Sequence, residues 1–390
     1  MAPGDATRKL HLVSNLNMRR RVEVDALRGL MLVWMTLTHL PTSISPYSYQ
    51  PFGFISSAEG FIFLSALFTG LIYFRIAQRD GYREMRSRLW GRTLRLYWYH
   101  IVLVVSALVL LPHIAGPSRP GLHNLLDFYF FAGPKRALID AVLLIYRPPL
   151  LDILPMYVLF LAATPVVITL AARTGWRYIL GGSFAMWLMA QFGLRQFAYD
   201  GLHALGLQIP LNEMGAFDVW AWQLVWMLGL CCGVRWAQDD LPIGDWARKV
   251  TVPAAFAVAV LLTLRFSLNY GVDLGHFGPI FDKWHLGAAR LIDFASIGAL
   301  LIRFQPYLKR LAVQPLVILG QASLPVFCTH LLFCFFGLAI MRDHPTVHGW
   351  EQFALPVLTL LTLYQVAKKT VEGKNRRPVP RPGLAPATSR

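Results

Sequence analysis

The sequence predicts an all-α protein, a polytopic membrane helical bundle of about ten transmembrane helices with both termini cytoplasmic. Of its 390 residues, 55% are apolar and 15% are charged, and the mean hydropathy is +0.47. Soluble domains carry about 25% charged residues. This composition is therefore typical of an integral membrane protein.

Ten apolar stretches are long enough to cross a bilayer as helices. They cover residues 24–40, 55–77, 93–112, 150–171, 178–194, 216–236, 250–268, 286–304, 318–340 and 351–368. The fourth contains Pro155 and Pro165, which neighbouring helices can accommodate as kinks. The apolar piece 137–146 is too short to span. The connection 113–149 around it is a candidate for a structured loop or lid.

The distribution of basic residues predicts the topology. The net charge is +16, and most of the 37 lysines and arginines lie in connections that are cytoplasmic when the N-terminus is inside. Cytoplasmic loops of membrane proteins carry this excess of Lys and Arg. An even number of spans then returns the C-terminus to the cytoplasm. The charge therefore indicates topology and contact with anionic lipid rather than nucleic-acid binding.

The chain divides into three parts. We expect a cytoplasmic N-terminal segment at 1–20, a membrane-integral domain at 21–370 and a disordered basic cytoplasmic tail at 371–390. No cleavable signal peptide is evident in the first 21 residues, because they lack an apolar region. The cysteines fall inside apolar spans and are expected to be core residues rather than disulfides or metal ligands: Cys231, Cys232, Cys328 and Cys334.

The first span carries ionisable groups at both ends. Asp25 and Arg28 lie near its start and His39 near its end. Eleven residues of α-helix separate Arg28 from His39 by roughly 16 Å along the axis. Ionisable groups within a bilayer are costly and mark a site or pathway by default. This arrangement suits chemistry conducted across a membrane.

Further polar residues fall in the outer halves of the spans, at similar depth. Together they predict a polar cavity open to the outside, in which Glu59 orients His39 as a general base. The alternative is that each forms a structural hydrogen bond between helices, an alternative that weighs equally for Gln223 and for the Arg290–Asp293 pair. The histidines have no metal-ligand spacing. The set comprises His39, Glu59, Asp152, Gln223, Arg290, Asp293 and His330.

Several of these residues belong to blocks that resemble the OpgC proteins. These are the osmoregulated periplasmic glucan succinyltransferases, within the acyltransferase-3-like group of integral membrane acyltransferases. The resemblance extends from about residue 20 to 368. Ala66 departs from the pattern, since Gly often occupies this position. The blocks are Asp25-Ala26-Leu27-Arg28-Gly29 with His39, Gly53 to Ser65, Leu151 to Tyr157, Ala221-Trp222-Gln223, and Ala322 to Phe327 with His330.

The resemblance implies an acyltransferase of the bacterial inner membrane. Its acyl donor would be cytoplasmic acyl-coenzyme A, with succinyl-CoA as the co-substrate implied by the family and no permanently bound cofactor. Its acceptor would be a hydroxyl of a periplasmic glucan. Membrane lipid is a further partner, and a second copy of the chain or other proteins of glucan synthesis stay open as partners.

Each polar residue then receives an expected role. His39 removes the proton from the sugar hydroxyl and Glu59 orients it, or His39 itself carries a transient acyl group. An extra cation such as Arg290 would favour a dicarboxylic acyl group. The expected donor-binding residues are Arg28, Arg92, Arg95 and Asp25. The expected acceptor or oxyanion residues are Asp152, Gln223, Arg290, Asp293, Ser323 and His330.

Two rival functions fit part of the pattern. A secondary transporter or exporter of a small anion or sugar derivative would also have intramembrane carboxylates and a basic inner face. It would be expected to have internally related halves, and none are found in the sequence. A non-catalytic scaffold would leave the polar residues of the outer half unexplained.

Overall fold

The computed structural model describes residues 22–115, 120–241, 243–341, 346–347 and 349–376. Within these ranges the chain forms helices and turns and contains no strand, which confirms the all-α prediction. The expected segment 1–20 lies outside the described residues, as does most of the expected tail. The last helix continues to Asn375, past the boundary expected at residue 370.

In the described part of the chain, fifteen α-helices of seven or more residues make up the fold, and short α-helical, 3-10 and π-helical turns connect some of them. The π-helical turn Ser106–Leu110 and the short helix Leu111–Ala115 extend α3. The fifteen are α1 Val22–His39, α2 Ser57–Asp80, α3 Tyr82–Val105, α4 His123–Ala132, α5 Pro134–Val142, α6 Ile153–Thr174, α7 Trp176–Gln191, α8 Leu194–Ala204, α9 Val219–Ala237, α10 Ile243–Lys249, α11 Thr251–Ser267, α12 Ala288–Arg303, α13 Gln314–Gln321, α14 Ser323–Ile340 and α15 Glu351–Asn375.

Six helices of the described chain are long and apolar enough to cross a membrane. They span Ser57–Asp80, Tyr82–Ile114, Ile153–Thr174, Leu211–Ala237, Thr251–Tyr270 and Ser323–Ile340. The other four predicted spans also fall on helices, namely α1, α7, α12 and α15, of which α7 and α12 have only 16 residues each. The chain is therefore a helical membrane protein, while the count of ten and the side on which the termini lie stay predictions.

The described stretch 120–149 of the connection expected at 113–149 is folded into the body of the protein. It contains α4 and α5, whose apolar side chains Leu125, Phe128 and Ala137 are buried in the main hydrophobic core. The Tyr97 hydroxyl of α3 donates to the Val142 carbonyl at the end of α5. The prediction of a structured loop is therefore confirmed, and α5 is too short to span, as expected.

Close packing of α2 against α9 depends on glycine. A methyl group at Gly233 would lie 2.0 Å from the Leu67 carbonyl oxygen, so the two backbones touch there. Small residues allow such approaches between membrane helices. A methyl group at Gly229 would lie 2.8 Å from the Cβ of Ala66. Gly229 thus accommodates the alanine at which the sequence departs from the OpgC pattern.

A second glycine contact joins α1 to α13. A methyl group at Gly29 would lie 1.9 Å from the Leu316 carbonyl oxygen. A methyl group at Gly320 would lie 1.9 Å from the Asp25 carbonyl oxygen. The predicted span 318–340 is broken at Ala322, between α13 and α14. Pro325 accounts for this break, because proline has no N–H to donate to the preceding turn and fits only in the first turn of a helix.

We predict that Gly320→Ala destabilises the fold by about 1–3 kcal/mol, because the new methyl group overlaps the backbone of α1. The midpoint of thermal unfolding in detergent measures this. The matched control is Gly298→Ala in α12, where an added Cβ meets open space and alanine favours the helix by up to about 1 kcal/mol. Equal stability of the two variants would contradict the α1–α13 contact.

Candidate functional site

Arg28 lies at one end of the site. Its Nη2 donates to the Ser323 hydroxyl at the start of α14, and its guanidinium lies 5.0 Å from the ring centre of Phe68 on α2. Asp25, one turn earlier on α1, is buried. Ser323 was expected near His39 as an oxyanion residue. Its bond to Arg28 corrects that placement, because it locates Ser323 at the opposite end of α1 from His39.

A cavity opens beside Ser323, between α2, α3, α6 and α14. Its volume is about 60 Å³, well below that of a usual small-molecule site, and its walls are mainly apolar. Phe61 and Phe327 stack across it with ring centres 5.7 Å apart. The lining residues with polar groups are Ser65, Arg92, Tyr157 and Ser323.

Arg92 brings a positive charge to the cavity wall. Its guanidinium donates to the Thr69 hydroxyl at 3.1 Å and to the Tyr157 hydroxyl at 3.0 Å. No carboxylate of the described chain forms an ion pair with it, so its charge is not neutralised there. Arg95 is exposed and does not line the cavity. Of the two predicted donor-binding arginines on α3, the structure brings only Arg92 to the cavity.

At the other end of α1, His39 meets His330 of α14. The Nδ1 of His39 lies 3.5 Å from the Nε2 of His330, and the ring planes differ by 18°. His330 is fully buried, while His39 is only partly buried. The Phe327 ring, which lines the cavity, lies 4.9 Å from the His330 ring. The histidine pair is thus adjacent to one wall of the cavity.

Glu59 does not orient His39, which corrects the predicted pairing. One of its carboxylate oxygens accepts from Nε and Nη2 of Arg290. The other accepts from the backbone N–H and the hydroxyl of Ser56, at 2.9 and 2.6 Å. Both Glu59 and Arg290 are fully buried. Glu59 therefore neutralises Arg290, and Arg290 is no longer the extra cation expected for a dicarboxylic acyl group.

Asp293 has a different partner from the one expected. Its Oδ2 accepts from the Phe54 amide at 2.7 Å, whereas Arg290 pairs with Glu59. Gly53, before Phe54, has a φ of 101°, which only glycine adopts readily. A Cβ at Gly53 would lie 2.4 Å from Oδ2 of Asp293. Asp293 therefore bonds to the connection between α1 and α2 instead of pairing with Arg290.

Two other predicted acceptor residues form ties between structural elements. Asp152 accepts from the Ala216 amide at 3.3 Å, which links the start of α6 to the connection before α9. Gln223 accepts from the Ser183 hydroxyl and donates to the Ser183 and Trp220 carbonyls. The Gln223 amide is thus engaged within α7 and α9, which favours the structural alternative for this residue.

Lys283 is a cation that the sequence analysis missed. It lies between α11 and α12, and its ammonium is 4.7 Å from the Trp284 ring centre and 5.2 Å from that of Tyr49. Burial lowers the pKa of Lys283, the Glu59 and Asp152 carboxylates oppose this shift, and the Arg290 charge adds to it. Lysine beside tryptophan was the available signal. Lys283 lies in a connection between spans, where hydropathy does not mark a charged residue.

The described part of the chain contains no group of three His, Cys, Asp or Glu residues able to hold a metal ion. The arrangement offers instead two arginines at one end of a largely apolar cavity and a histidine pair next to its wall. Arginines bind phosphate and carboxylate groups, and an imidazole with an exposed nitrogen can accept a proton from a substrate hydroxyl.

Comparison with known proteins identifies one family. The sequence model of a family described as OpgC protein matches residues 20–374, nearly the whole chain. No curated protein and no solved structure matches.

We predict that Glu59→Gln and Arg290→Met each destabilise the protein by about 3–5 kcal/mol, because each leaves one buried charge without its partner. The double variant should lose less than the sum of the two single losses, since no unpaired charge remains. Thermal unfolding in detergent of the four proteins in this cycle measures the coupling. Additive losses would contradict the ion pair.

Proposed function

Since the chain belongs to the OpgC family, we propose that it is a membrane acyltransferase that moves a succinyl group from cytoplasmic acyl-coenzyme A to a hydroxyl of a periplasmic glucan. The observation that supports this proposal is the line of groups from Arg28 and Arg92, through the cavity, to the histidine pair. A donor bound at one end could reach an acceptor at the other.

Helix geometry aligns these groups. Arg28 and His39 are 11 residues apart, about three turns, so they lie on one face of α1. Ser323 and His330 are seven residues apart, about two turns, so they share one face of α14. The two faces meet, because Arg28 bonds Ser323 and His39 contacts His330. Phe327 lies between Ser323 and His330 on this face and lines the cavity.

The donor would enter from the Arg28 end. Acyl-coenzyme A carries phosphates, which form strong charge-assisted hydrogen bonds with guanidinium groups. Arg92 faces the cavity with an unneutralised charge, and Arg28 approaches it through Ser323. The cavity, at about 60 Å³, would have to widen to admit the long uncharged arm of the donor, which would then bring its thioester toward His39.

The transfer itself needs one base. His39 accepts the proton of the glucan hydroxyl while the hydroxyl oxygen forms a bond to the thioester carbonyl carbon. The carbon–sulfur bond then breaks, the acyl group remains on the glucan oxygen, and the coenzyme A thiolate takes the proton from His39. No external oxidant or reductant is required.

Lys283 supports the choice of a dicarboxylic acyl group. Because Glu59 neutralises Arg290, we assign the free carboxylate of the acyl group to the ammonium of Lys283, in the connection before α12. Within the described residues it has aromatic neighbours and no ion pair. Its three N–H donors are therefore available to the free carboxylate of a succinyl group.

We predict that His39→Ala lowers the transfer rate by roughly 10²- to 10⁴-fold, the usual contribution of a positioned base. Purified protein would receive succinyl-CoA and periplasmic glucan, and released coenzyme A thiol and succinylated glucan would be measured. His113→Ala, which removes an exposed histidine, is the matched control. Full activity of His39→Ala would contradict the assignment of His39 as the base. Glucan or anion uptake without thioester cleavage would indicate the transporter instead.

We predict that Lys283→Met lowers kcat/KM for succinyl-CoA by about tenfold to hundredfold, since hydrogen bonds to charged groups contribute about 1.5–3 kcal/mol. Acetyl-CoA has no second carboxylate, so its use should change little. The ratio of the two kcat/KM values is the measurement, and Lys135→Met, at an exposed lysine, is the control. An equal decrease in kcat/KM for both donors would show that Lys283 does not distinguish the succinyl group from the acetyl group.

A further inference from the structure

His330 has a defined proton position, because its neighbours determine it. Its Nδ1 lies 2.5 Å from the Phe327 carbonyl oxygen. A carbonyl oxygen only accepts hydrogen bonds, so Nδ1 must carry the proton. In a neutral imidazole the other nitrogen is then an acceptor. The Nε2 of His330 therefore presents a lone pair.

That lone pair points at His39. The ring centres of the two histidines are 5.8 Å apart and the facing nitrogens 3.5 Å apart. The difference is about two imidazole radii, so both nitrogens lie near the line that joins the ring centres. With the rings almost coplanar, this edge-to-edge contact has the orientation that an in-plane N–H···N bond requires, at a distance of 3.5 Å that is longer than a usual hydrogen bond.

We propose that His330 is a positioning residue that holds the proton of His39 on Nδ1 and thereby leaves Nε2 of His39 as the base. This inference rests on the proposed acyl transfer and replaces the oxyanion role expected for His330. The order of the relay is Phe327 carbonyl, His330, His39, substrate hydroxyl. Each group donates or accepts in one direction only, so the burial of His330 and its bond to α14 fix the tautomer of His39.

The geometry distinguishes this role from simple packing. An apolar side chain at position 330 could fill the space but could not accept from Nδ1 of His39. The proton of His39 would then no longer be held on its Nδ1. Molecules in which Nε2 of His39 carries the proton would lack the base. A glutamine at 330 restores an acceptor oxygen near the same place.

The test compares His330→Leu with His330→Gln in the coenzyme A release assay. We expect His330→Leu to lower kcat roughly 10²-fold with little change in KM for the donor, and His330→Gln to recover most of that loss. The control is His100→Leu, which removes a buried histidine bonded to the Ala141 carbonyl and should keep kcat. A leucine variant with near-normal kcat, or folded leucine and glutamine variants that are equally inactive, would overturn the proposal.

A direct measurement covers the case in which the leucine variant does not fold. In protein labelled with ¹⁵N-histidine, the difference between wild type and His39→Ala isolates the His39 signals. A protonated Nδ1 and a bare Nε2 support the proposal, and a protonated Nε2 overturns it. Failure of the proposed function itself gives a different result from both outcomes, because His39→Ala would then keep full activity.

Discussion

The contact between α1 and the broken helix pair α13–α14 positions both ends of the site. Gly29 and Gly320 allow the backbones of α1 and α13 to touch, and α14 begins two residues after α13 ends. A helix is rigid over three turns, so the approach at Gly29 also fixes where His39 lies. The Arg28–Ser323 and His39–His330 contacts are therefore two consequences of one packing arrangement. A side chain at either glycine would separate both pairs at once.

The Glu59–Arg290 pair closes the site from the other side. It joins the first turn of α2 to the first turn of α12 through fully buried groups. Removing two charges from water costs several kcal/mol per ion, and the pair recovers this cost only through good geometry and further hydrogen bonds. Ser56 supplies such bonds to the second carboxylate oxygen. The pair therefore fixes α12 against α2 without adding net charge to the core.

The sequence predicted where helices lie better than which side chains meet. All ten apolar stretches fall on helices, since apolar length is a local property. The sequence also predicted that Arg28 and His39 lie toward opposite ends of one helix, and α1 confirms this. The contact partners of side chains were harder to predict. The expected depth of a residue in the membrane follows from its position in the sequence, whereas the rotation of each helix and the order of neighbouring helices follow from packing. Glu59 was predicted at the depth of His39, yet its partner is Arg290 of α12. Lys283 lies in a connection, where hydropathy carries no signal.

Competition for one carboxylate explains why His39 is paired with a histidine. Arginine stays charged at all physiological pH values, whereas histidine can be neutral. If Glu59 oriented His39, Arg290 would be a fully buried cation without a neutralising partner, a change that costs about 3–5 kcal/mol. Asp293, the carboxylate on α12, is engaged by the Phe54 amide. Assigning Glu59 to Arg290 and a neutral imidazole to His39 gives the buried guanidinium a carboxylate partner and places no further charge at His39. It also keeps His39 oriented, because orientation requires an acceptor and not a charge.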